Sequence, residues 1–164
     1  MKLLFKFNLV FLLVFALGLA ATGYVSWALL ERNAREEIAQ SARLLMDTAI
    51  ATRSYTNKQV GPLLETQMKY TFLPQSIAAY AAHEVFSDVR SKHTEYSYKE
   101  ATLNPTNPQH RAVDWEADVI SQFRNDKDRK ELVGERETPT GRSFYVARPF
   151  RITDPTCLRC HSTV

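Results

Sequence analysis

The first thirty residues of the chain carry its strongest hydrophobic signal. Residues 9–30 contain no charged side chain, and about 20 apolar residues in a helix cross the hydrocarbon core of a bilayer. Lys2 and Lys6 precede this run, so the positive-inside tendency predicts that residues 1–8 stay in the cytoplasm and that the chain from Glu31 onward lies on the far side. A cleaved signal peptide is the competing interpretation, but the run is longer than a signal h-region, which favours an uncleaved anchor.

The next segment, residues 31–60, has apolar side chains at helical spacing and predicts a long stalk helix. The repeating positions are Ala34, Ile38, Ala42, Leu45, Ala49 and Thr52. Gly61 and Pro62 are expected to end this helix, and it should continue the transmembrane helix without a break. A homodimer through paired stalks is compatible with this arrangement, although the stalk has no strict heptad signature.

The rest of the chain mixes helical and strand patterns. We expect helices over 75–90 and 109–123, and strands over 95–103, 131–137 and 143–152. The last two strands form a hairpin across Thr138 to Gly141, and Pro149 indicates an edge or a bulge in the second one. The fold class predicted is α+β, with a transmembrane helix continuing into a stalk and then an antiparallel sheet with flanking helices.

Composition excludes some classes of function but does not identify the function. The net charge is +3, with acids and bases mixed along the part after the apolar run, which gives no nucleic-acid signature. The chain has two cysteines, too few for a disulfide scaffold in a translocated domain.

Both cysteines fall in one pentapeptide, Cys157-Leu158-Arg159-Cys160-His161. Cys-x-x-Cys-His is the spacing of covalent haem c attachment, in which Cys157 and Cys160 add to the two vinyl groups and His161 lies beneath the iron as the proximal ligand. A thioredoxin-like pair should lie between a strand and a helix N-terminus, whereas Thr153-Asp154-Pro155-Thr156 directly precedes this motif. A structural zinc site should have a further Cys or His cluster. A disulfide or redox pair and a zinc site therefore remain as minor alternatives to one haem c.

The distal side of the iron is open between three possibilities. Met46 is the first candidate for distal ligand, because it lies on the stalk among small neighbours and a thioether is a known haem ligand; its alternative role is that of a flexible core residue. The second possibility is one of His83, His93 and His110, each of which is otherwise a surface histidine. The third is an open or water-bound iron, which would bind NO, CO or O₂.

Arginines near the motif are candidates for the haem propionates, because a guanidinium binds carboxylates in bidentate fashion. The four are Arg142, Arg148, Arg151 and Arg159. Arg148 is the best candidate, since it falls among apolar residues of the last predicted strand and a charge there requires a partner. The others are expected to lie mostly on a solvated strand face.

Several segments together resemble one family. They are Arg53-Ser54-Tyr55-Thr56, Phe72-Leu73-Pro74-Gln75, the run Tyr98 to Pro105, Phe144 to Pro149 and the Cys157 to His161 motif. This combination resembles the membrane-anchored periplasmic haem c sensor domains with a PAS-like fold, which occur alone or before histidine kinase, diguanylate cyclase or chemoreceptor modules. The resemblance implies a five-stranded PAS-like sheet over residues 61–164, one covalent haem and redox or gas sensing.

The same resemblance sets expectations about location and completeness. It implies a protein of the inner membrane, with one span in this chain and its domain in the periplasm, where the haem c maturation machinery attaches the cofactor. Members continue past the motif into further strands, often a second membrane helix, and an output module. We therefore expect this chain to be a fragment or an isolated sensor half, with any enzyme outside it and the chain itself not an enzyme.

Two haem-based functions remain from sequence, beside a non-haem alternative, a periplasmic PAS-like domain that binds a small molecule. The first is a sensor, in which haem redox state or ligation alters the domain and the stalk carries the change. The second is a membrane-anchored monohaem c-type cytochrome that carries electrons. The long stalk and the resemblance favour the sensor. Haem catalysis has little support, because no acid/base pair beside the motif can be identified from spacing.

Overall fold

One helix accounts for a third of the chain. In the computed structural model, which describes residues 2–139 and 141–151, α1 runs from Lys2 to Tyr55. A π-helical turn, Thr56–Val60, follows it, and α2 covers Gly61–Leu64. This helical run includes a segment long and apolar enough to cross a membrane, consistent with the predicted single-pass anchor.

The prediction that Gly61 and Pro62 end the stalk is wrong. The helical backbone continues to Leu64, with Pro62 in the first turn of α2. A proline is tolerated in a first turn, where its missing N–H removes no hydrogen bond. The π-helical turn directly before it absorbs the change of register.

Two further helices confirm the helical patterns with shifted bounds. A 3₁₀ turn over Gln67–Lys69 and another over Pro74–Ser76 lead into α3, Ala78–Lys92. A third 3₁₀ turn, Pro108–His110, precedes α4, Asp114–Asn125. Both helices begin later than predicted because a proline-led 3₁₀ turn stands in front of each.

The predicted hairpin is present. Strand β1, Leu132–Thr138, pairs antiparallel with β2, Gly141–Ala147, in a register that sets Leu132 opposite Ala147. Gly141 has φ +115°, a conformation that favours glycine, at the start of β2. Strand β2 ends before Pro149, which has no N–H to donate to a ladder.

The strand predicted over 95–103 is wrong. Within the described ranges these residues make one isolated bridge, between Thr102 and Arg111. The alternation that suggested a strand has another cause: Tyr98 stacks on Phe86 with ring centroids 4.6 Å apart, and Lys99 pairs with Glu116 at 2.6 Å. The structure is therefore α+β with a two-stranded antiparallel sheet among the described residues.

The backbone divides into two units, residues 1–41 and residues 42–164. In the second unit the most buried side chains lie on α1, α3 and α4 and in the π-helical turn, and most of them are small. They are Ala49, Thr56, Ala78, Ala82, Phe86 and Val119. Small side chains let helix backbones approach closely, so the packed face of α1 in this unit is narrow and every larger residue on it requires a specific partner.

Gly134 tests the packing of the hairpin. It lies opposite Tyr145, and a Cβ there would come within 2.5 Å of the Tyr145 hydroxyl. We expect Gly134→Ala to displace the Tyr145 ring from Trp115, now 5.2 Å away between centroids, and to lower the free energy of unfolding by about 1 kcal/mol. Urea denaturation of the full chain in detergent, followed by circular dichroism, measures this.

The control is the same change in a Tyr145→Ala background, where the added methyl group meets no ring. The cost of Gly134→Ala should then largely vanish. An equal cost in both backgrounds would mean that the Tyr145 contact does not limit this position.

Candidate functional site

The predicted haem-attachment residues Cys157, Cys160 and His161 lie outside the described residues, as does Arg159. The described part of the candidate site begins with residues 148–151, the end of the described chain before the motif. Each of three side chains in this segment contacts another part of the second unit. Two of these contacts are made to α1.

Arg148 is the first contact. Its Nε donates to Glu131 Oε2 at 2.9 Å, and its Nη1 donates to Asp47 Oδ1 of α1 at 2.5 Å. Glu131 also accepts from Arg43 Nε of α1, at 2.8 Å. The charge at Arg148 thus has the partners that its position requires, and they are carboxylates of the chain itself.

The electrostatics of this network favour the charged forms. Burial opposes ionisation of Glu131, but the hydrogen bonds from Arg43 and Arg148 outweigh it and lower the pKa of Glu131. The hydrogen bond to Glu131 is the main reason that the pKa of Arg148 is raised. The network holds the start of β1 and the end of β2 against α1. The role of Arg148 toward a propionate stays a prediction.

Phe150 is the second contact. Its ring lies beneath the guanidinium of Arg53 of α1, with Cζ 4.3 Å from the ring centroid, a cation–π geometry. Arg53 Nη1 also donates to both carboxylate oxygens of Glu100, at 2.5 and 2.6 Å. The side chain of Arg53 is only 12% exposed and that of Glu100 25%, so this ion pair is largely buried.

Tyr98 completes the surroundings of Glu100. Its hydroxyl donates to Glu100 Oε1 at 2.8 Å. Burial, and then the neighbouring charge of Glu100, raise the pKa of Tyr98 well above its ordinary value, so the phenol stays neutral and donates. Because Tyr98 also stacks on Phe86 of α3, the ion pair connects α1, the segment 98–100 and α3.

Arg151 is the third contact, and it differs from the other two. Its Nη2 donates to the backbone carbonyl of Lys127 at 2.6 Å. Arg142, the other described arginine of the predicted propionate group, lies on β2 beside Glu135 at 3.5 Å and Glu137 at 3.7 Å. Its 65% exposure agrees with the predicted solvated strand face.

Met46, the predicted distal ligand, is half-buried on α1. It precedes Ala49 by about one turn and Arg53 by about two turns, on the helix face that carries both. Ligation by Met46 stays a prediction.

The histidines separate into a pair and a surface residue. The rings of His83 and His110 meet edge to face with centroids 5.9 Å apart, and the buried His110 Nδ1 has no hydrogen-bond partner among the described residues. His93 lies 3.3 Å from Glu95 at an exposed position. No group of three or more potential metal ligands occurs in the part of the chain that the structure describes.

Sequence reasoning missed Arg53, Glu100 and Glu131. A signal for Arg53 existed: with Ala42, Met46, Ala49 and Thr56 it forms a stripe at alternating spacings of four and three residues, and a charge on such a stripe requires a buried partner. Glu131 offered no comparable signal, because its partner Arg43 is 88 residues away.

One known family matches the part of the chain that contains this candidate site. The model of the Tll0287-like family matches residues 31–164. The chain belongs to the Tll0287-like family. The match begins where the charged part of α1 begins and includes the network, the Arg53 pair and the Cys157 to His161 motif, so the family domain contains every candidate residue discussed. No curated protein and no solved structure shows a significant match to this family member.

Glu131 gives this network a pH dependence. Its pKa in the folded chain is below the ordinary 4.5, so its stabilising contribution is complete above pH 4.5 and is lost as the pH falls through the folded pKa. We expect Glu131→Gln to lower the free energy of unfolding at pH 7 by about 1 kcal/mol, since Arg43 is partly exposed and water screens the pair, and to flatten the acid dependence. Urea midpoints at pH 7 and pH 4 measure both effects.

Glu137→Gln is the matched control, because Glu137 lies on the same strand and is 81% exposed. It should change neither the stability nor its pH dependence appreciably. If the two variants behaved alike, the network would not contribute to the attachment of β1 to α1.

Proposed function

We propose that the chain is a membrane-anchored, extracytoplasmic haem c sensor domain of a signal-transduction protein, responsive to redox state or to a diatomic gas. Cys157 and Cys160 carry the haem covalently and His161 is the proximal ligand. Residues 61–164 adopt a PAS-like fold that contains the β1–β2 hairpin. Any enzyme controlled by the domain is a separate module.

The observation that carries this proposal is the attachment of residues 148–150 to α1. Arg148 is bound to Asp47 and Phe150 lies under Arg53. Cys157 follows Phe150 by seven residues, so the chain between them can span at most about 25 Å from the backbone of Phe150, whose ring contacts Arg53 of α1. A haem at the motif is thus tethered to the helix that carries the apolar segment.

The residues of this region suit a haem. Arg53 contributes a buried Nε–H donor with no acceptor among the described residues, Met46 a half-buried thioether on the same face, and Phe150 a ring that is 58% exposed. A haem has anionic propionates, an iron with a free axial position and a large apolar face, which these groups complement. When bound, it supplies one-electron redox chemistry and an iron that can bind NO, CO or O₂.

The chain's own residues would transmit the change. Asp47 and Arg53 lie on α1, which is continuous from Lys2 to Tyr55. A movement of residues 148–150 therefore acts on two points of a single helix.

The location follows from the charges at the start of the chain. Lys2 and Lys6 favour a cytoplasmic N-terminus, which directs the domain to the periplasmic face of the inner membrane. That is the side on which the haem c maturation machinery acts. Pairing of stalks in a homodimer belongs to the same proposal.

The test is the visible spectrum of the full chain expressed with a haem c maturation system, recorded oxidised, reduced, and reduced under CO or NO. The proposal expects a covalent haem that is lost in Cys157→Ser/Cys160→Ser. A spectrum that shifts with added gas favours gas sensing. A sharp low-spin spectrum that ignores gas favours redox sensing or the cytochrome alternative. A colourless protein would contradict the proposal.

Met46 gives a second, narrower prediction. If its thioether is the distal ligand, Met46→Ala should convert a low-spin spectrum to a high-spin one and open the iron to CO, because a six-coordinate iron loses one ligand. Met68→Ala is the matched control, since the Met68 sulfur accepts a hydrogen bond from the Leu73 amide instead, and its spectrum should not change. Identical spectra for Met46→Ala and the wild type would exclude ligation by Met46.

A further inference from the structure

The guanidinium of Arg53 is only partly hydrogen-bonded by the described residues. Its Nη1 is engaged by Glu100, whereas its Nε is buried and has no hydrogen-bond partner among the described residues. The side chain is 12% exposed. A buried donor without an acceptor is destabilising, and such groups in native proteins normally have a partner, a water or a ligand.

Arg148, the candidate from sequence, is bonded differently. Its Nε donates to Glu131 and its Nη1 to Asp47. To bind a propionate through these atoms it would have to give up a carboxylate of the chain. Arg53 Nε, in contrast, has no hydrogen bond among the described residues that it would lose on binding a propionate.

The location of Arg53 also points to the haem-bearing segment. The ring of Phe150 lies 4.3 Å from its Cζ, and Phe150 precedes Cys157 by seven residues. Meanwhile Glu100, held by the Tyr98 hydroxyl, fixes the plane of the guanidinium. The Nε–H is therefore a preoriented donor beside the chain that leads to the attachment motif.

We propose that Arg53, and not Arg148, binds a propionate of the haem through Nε–H. This inference rests on the proposed function, since it requires a haem at Cys157 and Cys160. Glu100 and Tyr98 are then positioning residues that orient Arg53. A propionate bound to Arg53 would thus be in direct contact with a side chain of α1.

The test uses the full chain loaded with haem, with two readouts: the resonance Raman bending vibration of the propionates, and the pH at which the reduction potential begins to depend on pH. In Arg53→Lys the positive charge opposite Glu100 is kept while Nε is lost. We expect the propionate vibration to shift. We also expect the propionate-linked step to move to higher pH, because the ionised carboxylate loses a donor.

A second variant covers the case in which Arg53→Lys fails to fold. Arg53→Gln/Glu100→Gln removes both charges and leaves no unpaired carboxylate buried. It should still move the propionate-linked step upward, because the ionised propionate loses its Nε–H donor, but by less than the about 1–3 units that loss of an opposite charge alone would give, since the negative charge of Glu100 is removed as well.

Arg136→Lys is the matched control, because Arg136 also lies over an aromatic ring, that of Trp115, at 4.3 Å, and it should leave both readouts unchanged. If Arg148→Gln shifts them and both Arg53 variants do not, the assignment to Arg53 is overturned. A wild type with covalent haem whose Arg53 variants behave normally overturns this inference alone, whereas a wild type without haem overturns the proposed function as well.

Discussion

The ion pair between Arg53 and Glu100 is the constraint on which the arrangement of the second unit depends. A guanidinium that is 12% exposed must be neutralised, and loss of one partner from a buried pair typically costs about 3–5 kcal/mol. Glu100 is held by Tyr98, and Tyr98 stacks on Phe86. One charge on α1 therefore fixes the segment before Thr102 and the inner face of α3.

A second connection lies on the same helix. The network of Arg43, Asp47, Glu131 and Arg148 attaches the open end of the hairpin to α1. It is more exposed than the Arg53 pair, so water weakens it and pH modulates it through Glu131. The two connections are separated by one to three turns of helix, and both reach residues just before the Cys157 to His161 motif. In the proposed sensor, these two attachments would pass a change at the haem to α1.

Features of the fold that have a local sequence signal could be predicted, and features that depend on tertiary contacts could not. Helices α1, α3 and α4 and the β1–β2 hairpin were predictable, because period and turn residues are local properties. The strand at 95–103 was wrong because the alternation of Tyr96 and Tyr98 reflects packing of Tyr98 on Phe86, not a ladder. Pro62 was misinterpreted as a stop, since a π-helical turn brought it into the first turn of α2.

The candidate site likewise has a part that could be predicted from local sequence and a part that could not. Cys157, Cys160 and His161 form a local motif whose chemistry can be inferred from spacing, although they lie outside the described residues. The partners of Arg148 could not be inferred, because Asp47 is 101 residues away and only the tertiary fold brings them together. The need of Arg148 for a partner was nevertheless predictable from its place among apolar residues.

In the proposed sensor, the state of the haem reaches α1 through residues 148–150. The most direct test is hydrogen–deuterium exchange of the full haem-loaded chain, oxidised and reduced, read at peptides covering residues 42–60 and 131–138. We expect protection of both segments to change with oxidation state, because Arg53 and the Glu131 network connect them to the segment that precedes the proposed haem site. Identical protection in the two states would contradict it and would assign the chain to electron transfer.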